Sequence, residues 1–310
     1  MPTKTLLIIG ITGNQGHSIA TRFLHDPTYH IIGLTRNPNS PTAQSLSAQG
    51  ITILAADLND PTALIPAFRG ANLIFSVTNY WEPFFREDCR KQAAERGISC
   101  RRYAYEVELQ QGKNIADAAA ATVDSLDENG FVVSTLSYAA ECSGGRFGEL
   151  YHFDAKAEVF PNYKMTENGE VSFEMTFTTA PDARVPHLDV NADLGNFVYA
   201  VSKMPPGKSY MACGSYCSWA EYMRIWGRIN SVPASYRQIT LEELMEKTPD
   251  PEFGCEVGDM FTYSTDPGYD GGDKELLTAE DIRNAGIECP MTSLEEWIER
   301  EDWSAVLNSE

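Results

Sequence analysis

Positive charge is scarce in this chain: across 310 residues, 24 Lys and Arg face 44 Asp and Glu, a formal charge of −20. So negative a surface repels phosphate backbones, which argues against direct nucleic-acid binding. The one dense basic stretch, Arg86, Arg90, Lys91, Arg96, Arg101 and Arg102, reads as a solvated helix face with its loop. No apolar run approaches the ~18 residues of a membrane span, so no membrane partner is expected. The seven cysteines contain no Cys-x-x-Cys pair. Their odd number and scattered spacing do not suit a disulfide framework, and Cys213 and Cys217 lack the His or second pair of a zinc site. Reduced thiols in a cytoplasmic protein are expected. His17, His25, His30, His152 and His187 show no ligand spacing. Asp270, Asp273, Glu275, Glu280 and Asp281 do not follow a calcium loop, so no metal is expected. The chain enters an apolar strand at once, so no cleavable leader is expected. Internal repeats and low-complexity segments are absent.

What is present lies first at the N-terminus. Leu6-Leu7-Ile8-Ile9 is an apolar run that meets Gly10-Ile11-Thr12-Gly13-Asn14-Gln15-Gly16. His17 to Leu24 then reads as a helix. A strand, a Gly-x-x-Gly-x-x-Gly turn and a helix stand in the order that a dinucleotide pyrophosphate needs. The glycines let the backbone approach the phosphates, and the helix start offers free N–H groups and partial positive charge. Gly10, Thr12, Gly13, Asn14, Gln15 and Gly16 are the expected contacts.

The first 75 residues alternate strand and helix. Strands are expected at 4–9, 29–35, 51–55 and 71–77, with helices at 15–25, 41–49 and 61–68. That alternation implies a parallel sheet with crossover helices, an α/β fold of the doubly wound, Rossmann type. An Ala-rich helical region over 84–122, broken near 97–100, precedes a fifth strand at 131–136 and a short helix at 151–159. Past Phe160 the texture changes. Alternation at 162–179 suggests a strand in a mixed sheet. Helical patterns follow at 194–202, 218–229, 241–247, 281–286 and 294–301. The expected division is a dinucleotide-binding domain at 1–160, with 186–204 returning to it. Residues 161–185 and 205–310 then form a smaller α+β domain for substrate or partner.

Strand two ends in Gly33-Leu34-Thr35-Arg36, with no acid to bond a ribose 2′-hydroxyl. Arg36 instead suits a 2′-phosphate through a bidentate, charge-assisted contact, so NADP is expected over NAD. Asp57 and Leu58 fall where an adenine contact is expected, and Asp60 fits a helix N-cap. Thr78 and Asn79 fall on the path toward the nicotinamide.

Together these residues resemble the NmrA-like family, a branch of atypical short-chain dehydrogenases. The matching segments are the glycine loop, Leu34-Thr35-Arg36 and the stretch from Gln111 to Ala119. His152-Phe153-Asp154-Ala155-Lys156-Ala157-Glu158-Val159, Pro186-His187-Leu188-Asp189-Val190 and Thr292-Ser293-Leu294-Glu295-Glu296-Trp297 match as well. The resemblance implies a Rossmann domain with a smaller C-terminal domain and NAD(P) bound across the strand ends. It also implies one of two activities: NADPH-dependent reduction, or dinucleotide sensing coupled to a transcription factor. The chain departs from the family after Val159. A strand and much of a helix are missing there, so a sheet with fewer strands is expected, or Glu170–Thr179 in place of the lost strand.

Where typical short-chain dehydrogenases carry Tyr-x-x-x-Lys, this chain has His152-x-x-x-Lys156. Both side chains fall on one helical face. Lys156 suits a contact with the nicotinamide ribose or a proton donation to a carbonyl or imine. His152 suits an acid or relay, because imidazole titrates near neutral pH. Ser134, Thr135 and Ser137 are candidate hydroxyl donors, and Tyr138 and Tyr151 are alternative proton donors. The expected function is NADP-dependent oxidoreduction of a small organic carbonyl, enone or imine. The alternative is a non-catalytic NAD(P)-binding redox sensor with a protein partner.

Overall fold

The structure, a computed structural model, describes residues 4–157 and 174–307. Strand β1 (Lys4–Ile9), α1 (Asn14–Phe23), β2 (Tyr29–Thr35), α2 (Pro41–Ala48), β3 (Thr52–Ala55), α3 (Pro61–Phe68) and β4 (Leu73–Ser76) follow in alternation. Helices α4 (Trp81–Phe85), α5 (Glu87–Glu95) and α6 (Cys100–Ala120) lead to β5 (Phe131–Val133). Among the described residues these strands form one five-stranded parallel sheet in the order β3-β2-β1-β4-β5.

The sheet is buried on both faces, which is why its central strand reads as an unbroken apolar run. Leu6 and Ile8 pack on one side with Ile19, Ala20 and Phe23 of α1. Leu7 and Ile9 pack on the other with Leu64 and Phe68 of α3 and Ile115 of α6. Each such side chain contributes ~1.5–3 kcal/mol by leaving water.

Helices α7 (Ala139–Cys142) and α8 (Tyr151–Ala157) follow β5. The second half holds β6 (Glu174–Phe177), β7 (Arg184–His187), α9 (Val190–Val201), β8 (Ser215–Ser218) and α10 (Trp219–Asn230). It continues with β9 (Ser235–Gln238), α11 (Leu241–Lys247), α12 (Pro251–Tyr263), α13 (Ala279–Asn284), α14 (Leu294–Arg300) and α15 (Ser304–Leu307). Helix α9 returns to the first half and lies along α1 in the same direction. Ser18 donates to Asn191 O and accepts from Gly195 N near the helix starts, and Tyr199 bonds Asp26 at the far end.

Two expectations need correction, and one helix was not expected. The strand placed at 162–179 is described only over Glu174–Phe177, where it pairs in parallel with β9 and stays out of the five-stranded sheet. It therefore does not replace a lost strand over those residues; 158–173, where the missing segment was expected, lie outside the described residues. Strand β5 stops at Val133, three residues short of the expected end, although Ser134 N still donates to Ser76 O at 2.8 Å. Helix α12 escapes the sequence pattern because Gly254 and Gly258 lower its helix propensity. A Cβ at Gly258 would sit 2.3 Å from Leu241 Cδ1 of α11, the free end of that side chain, so Leu241 would have to move to admit it.

Candidate active site

The turn between β1 and α1 is built as its glycines demand. Gly10 takes φ +71°, a conformation that side chains with a Cβ resist. A Cβ on Gly16 would lie 2.4 Å from Gly10 O, so the helix start and the strand end touch directly. Gly13 differs. Its φ is −91°, and a Cβ there would meet Gly10 O at 3.4 Å, an ordinary contact. The fold itself does not require glycine at 13. Gly13 is also the N-cap of α1, yet no side chain caps this end and its first turn carries no acid. The N–H groups of α1 thus remain available to an anion. Thr12 and Asn14 are exposed at this turn, and Gln15 holds its amide oxygen buried without a partner.

Arg36 lies just past β2 and forms an ion pair with Glu82 of α4, Nη1 to Oε1 at 2.7 Å. Because α4 follows β4, this pair reaches across the end of β1. Asp57 accepts from Asn59 N at 2.8 Å and closes its own turn. Asp60 is the N-cap of α3, as expected, accepting from Thr62 N at 3.0 Å. Leu58 offers its carbonyl to Asn114 Nδ2 at 2.8 Å. Asn79 accepts from Trp81 N at 3.1 Å and closes its own turn just before α4.

Lys156 stands on α8 at the carboxyl edge of the sheet. Its Nζ donates to Thr78 O and Thr78 Oγ1, each at 3.2 Å, and forms an ion pair with Glu108 of α6. Three acceptors match the three protons of an ammonium group. Glu108 is fully buried, and its second oxygen has no partner. Beside this pair is a recess of about 10 Å³ lined by Ser76, Thr78, Gly112, Ser134, Ala155 and Lys156. It holds about one water molecule. Of the candidate hydroxyls, Ser134 lines the recess. Ser137 is turned away, bonded to Tyr263 OH at 2.7 Å.

His152 does not line that recess. Its ring packs against Trp81, centroids 5.2 Å apart, and its Nδ1 meets Glu256 Oε1 at 2.7 Å. The same oxygen accepts from His152 N at 2.8 Å. With the proton on Nδ1, Nε2 becomes the acceptor nitrogen, and it is buried without a partner. Glu256 sits on α12 at 0% exposure, and Arg101 Nε donates to its other oxygen at 2.5 Å. Burial alone would raise the Glu256 carboxyl, but His152 and Arg101 together hold it below the usual carboxylate range. Arg101 also donates to Asp259 at 2.8 Å and to Glu149 O at 2.6 Å. Arg101 is therefore no part of a solvated basic face; it is a buried tie between α6 and α12. Tyr151 donates to Glu149 at 3.2 Å, and burial raises its phenol.

Glu108, Arg101 and Glu256 were not legible as site residues. For Glu256 a signal existed: Asp250-Pro251 is a helix start, and Glu252, Glu256 and Asp259 then share one face. Among the described residues no group of three or more His, Cys, Asp and Glu is placed to hold a metal.

The sequence and the fold both have known counterparts. An NmrA-like family domain-containing oxidoreductase of Aspergillus japonicus, himF, is 35% identical over 319 aligned residues, covering 91% of this chain and 90% of that protein. Another, hkm9 of Aspergillus hancockii, is 40% identical over 84 residues, only 27% of this chain and 25% of the relative. The chain thus spans about a quarter of one curated relative in its match and nearly all of another. Among solved structures, NmrA, a negative transcriptional regulator in complex with NADP, superposes with a TM-score of 0.67 at 16% identity, over 97% of this chain and 95% of that one. The NADPH-dependent quinone oxidoreductase QOR2 of Escherichia coli, complexed with NADPH, gives 0.62 at 19% identity, over 98% and 100%. The model of the NmrA-like family matches residues 2–161, half of the chain, and with the himF alignment it shows that this protein belongs to the NmrA-like family.

Proposed function

We propose that this chain is an NADP(H)-dependent oxidoreductase that reduces a small organic carbonyl, enone or imine. The observation that carries the proposal is the β1–α1 turn. It presents an uncapped helix N-terminus beside Gly13, a glycine that the fold's own packing does not need. Such a position is explained by a ligand backbone passing close to it. The unpartnered Gln15 oxygen in the same turn is a buried acceptor that a ligand hydroxyl, not a phosphate, would satisfy. Support for redox chemistry comes from the relatives named as oxidoreductases and from the neighbours solved with NADPH or NADP.

In this reading the glycine turn holds the pyrophosphate, and Arg36 takes the 2′-phosphate in exchange for Glu82. Asp57 and Leu58 border the adenine, and Thr78 and Asn79 border the nicotinamide half. The bound cofactor supplies the hydride. Lys156 exchanges a Thr78 contact for one to the ribose and favours negative charge developing on the substrate oxygen. Glu108 keeps the ammonium beside Thr78. His152, aligned by Glu256, relays a proton through Nε2. Residues 1–160 with 186–204 form the cofactor half, and 161–185 with 205–310 the substrate half.

A second reading, a dinucleotide-binding regulator with a protein partner and no turnover, is favoured by one observation. Both candidate proton carriers are tied to buried carboxylates, and the recess beside Lys156 holds about one water. One experiment separates the two. Calorimetry establishes NADPH and NADH affinity, and the same protein is then assayed for NADPH oxidation with quinones, enones and cyclic imines. Binding with turnover supports the enzyme; tight binding with no turnover on any class supports the regulator. Absence of binding overturns both.

A further inference from the structure

A second cavity, of about 300 Å³, lies where β7, β8, α10 and α14 converge. Its walls are unlike the recess at Lys156. His187, Trp219, Tyr222 and Trp297 line it, with Leu188 and Ser215. The rings form one connected set: His187 lies 4.9 Å from Trp219 and 5.4 Å from Tyr222, and Tyr222 lies 6.4 Å from Trp297. The volume is at the lower end for small-molecule sites, large enough for a two- or three-ring ligand.

Its polar groups are few and specific. His187 of β7 and Ser215 of β8 are direct partners across the antiparallel pair. Opposed residues in such a pair project from the same face, ~5 Å apart at Cβ. His187 Nε2 lies 3.3 Å from Cys217 O. A nitrogen facing a carbonyl is the one that carries the proton, so Nδ1 is the acceptor in the neutral ring. Burial lowers the His187 pKa and keeps that ring neutral. No bond to Nδ1 is seen among the described residues. Ser215 Oγ accepts from Leu294 N at 2.8 Å, which leaves its own proton free to donate. Asp189, the one acid among the described lining residues, is taken up by Arg300 and by the N–H groups of Asn191 and Ala192. Among the described lining residues the cavity thus offers aromatic faces, an acceptor at His187, a donor at Ser215, a further buried donor without a partner at Trp219 Nε1, and no uncompensated charge.

We infer that this cavity binds an uncharged planar aromatic molecule that carries an O–H or N–H group. The ring system lies against Trp219, Tyr222 and Trp297. The ligand's O–H or N–H donates to His187 Nδ1, and Ser215 donates to a neighbouring acceptor on the ligand. A charged ligand is disfavoured, because nothing in the walls compensates its desolvation. This inference stands apart from the oxidoreductase reading, since binding here is measured without cofactor.

The test uses the full chain, without cofactor, titrated in a calorimeter with 2-naphthol and with 2-methoxynaphthalene. These share the ring and differ in the donor. The expected result is one saturable site that prefers 2-naphthol by about tenfold, the scale of one good hydrogen bond. Trp297→Ala should weaken both ligands at least tenfold. His187→Phe keeps an aromatic ring and removes Nδ1, so it should abolish the preference and still bind 2-methoxynaphthalene. Melting curves check that each variant is folded. If Trp297→Ala does not fold, the His187→Phe preference decides alone. No saturable binding to the wild-type chain overturns the inference. So does a naphthol preference that survives His187→Phe, or affinity that a folded Trp297→Ala leaves unchanged.

Discussion

Lys156 and Glu108 form a buried ion pair: the carboxylate is fully buried, and the lysine side chain is only 14% exposed. The pair joins α6 to α8 at the carboxyl edge of the sheet, where open α/β folds bind ligands. The proposed chemistry and the stability of the fold thus meet at this position. Removing one partner leaves the other charge buried and alone, which costs ~3–5 kcal/mol.

Lys156→Met should therefore do two things. It should lower NADPH-dependent turnover by roughly 10²-fold, the scale for losing one positioned donor. It should also destabilise the fold by ~3 kcal/mol, because Glu108 is stranded. Lys156→Met combined with Glu108→Gln should recover most of the stability and none of the turnover. Urea unfolding and turnover assays on the two variants check this. Equal stability of the single and double variants would show that the pair contributes nothing.

Gly13→Val should fold normally and lose dinucleotide binding. The backbone angles at 13 suit a side chain, and the nearest contact, at 3.4 Å, is tolerable. On the proposed reading the β-branched group instead occupies the approach of the pyrophosphate. Gly16→Ala is the contrast: its Cβ would lie 2.4 Å from Gly10 O, so that variant should lose stability first. Thermal melts alongside NADPH titrations separate the two.

Arg36→Ala should weaken NADPH by ~1.5–3 kcal/mol and leave NADH nearly unchanged, as expected for loss of a charge-assisted phosphate contact. Glu82→Gln should act in the opposite sense. It releases Arg36 from a half-exposed ion pair worth ~0.2–1 kcal/mol and should tighten NADPH by up to that amount. Calorimetry with both cofactors reads each variant. Equal losses for NADPH and NADH in Arg36→Ala would remove Arg36 from the 2′-phosphate site.

The first half of the fold was legible because buried parallel strands read as apolar runs between glycine and N-cap signals. Lys4–Ile9 and Tyr29–Thr35 have the same bounds in sequence and structure. Strands β7, β8 and β9 are four residues each, too short for alternation to stand out. The glycine turn, Lys156 and His152 were visible as motifs. Their partners Glu108 and Glu256 were not, because a lone acid on a helix reads as solvated until tertiary structure buries it. Arg101 misled for the same reason: its neighbours Arg96 and Arg102 are exposed, and it alone turns inward.

The Glu256 carboxyl also makes a pH prediction. Its pKa is lowered in the folded protein from a usual value of 4.5. A depressed carboxylate stabilises the fold above its unfolded pKa, and that contribution is lost as pH falls through the folded value. Asp259 beside it is raised by burial and opposes this trend. Glu256→Gln should thus destabilise the protein at pH 7, and the gap from wild type should narrow below pH ~4.5. Melting temperatures of both proteins across pH 3.5–7 provide the check. A gap that stays constant with pH would show that the loss is packing and not charge.

The proposed function places hydride chemistry on NADPH at the Lys156 edge of the sheet. Single-turnover oxidation of NADPH deuterated at nicotinamide C4 tests it most directly, with quinones, enones and cyclic imines as acceptors. Oxidation with one of these classes is expected, slowed by deuterium on one C4 face only and lowered roughly 10²-fold by Lys156→Met/Glu108→Gln. Tight NADPH binding with no oxidation by any acceptor, or oxidation that the double variant leaves unchanged, would contradict it.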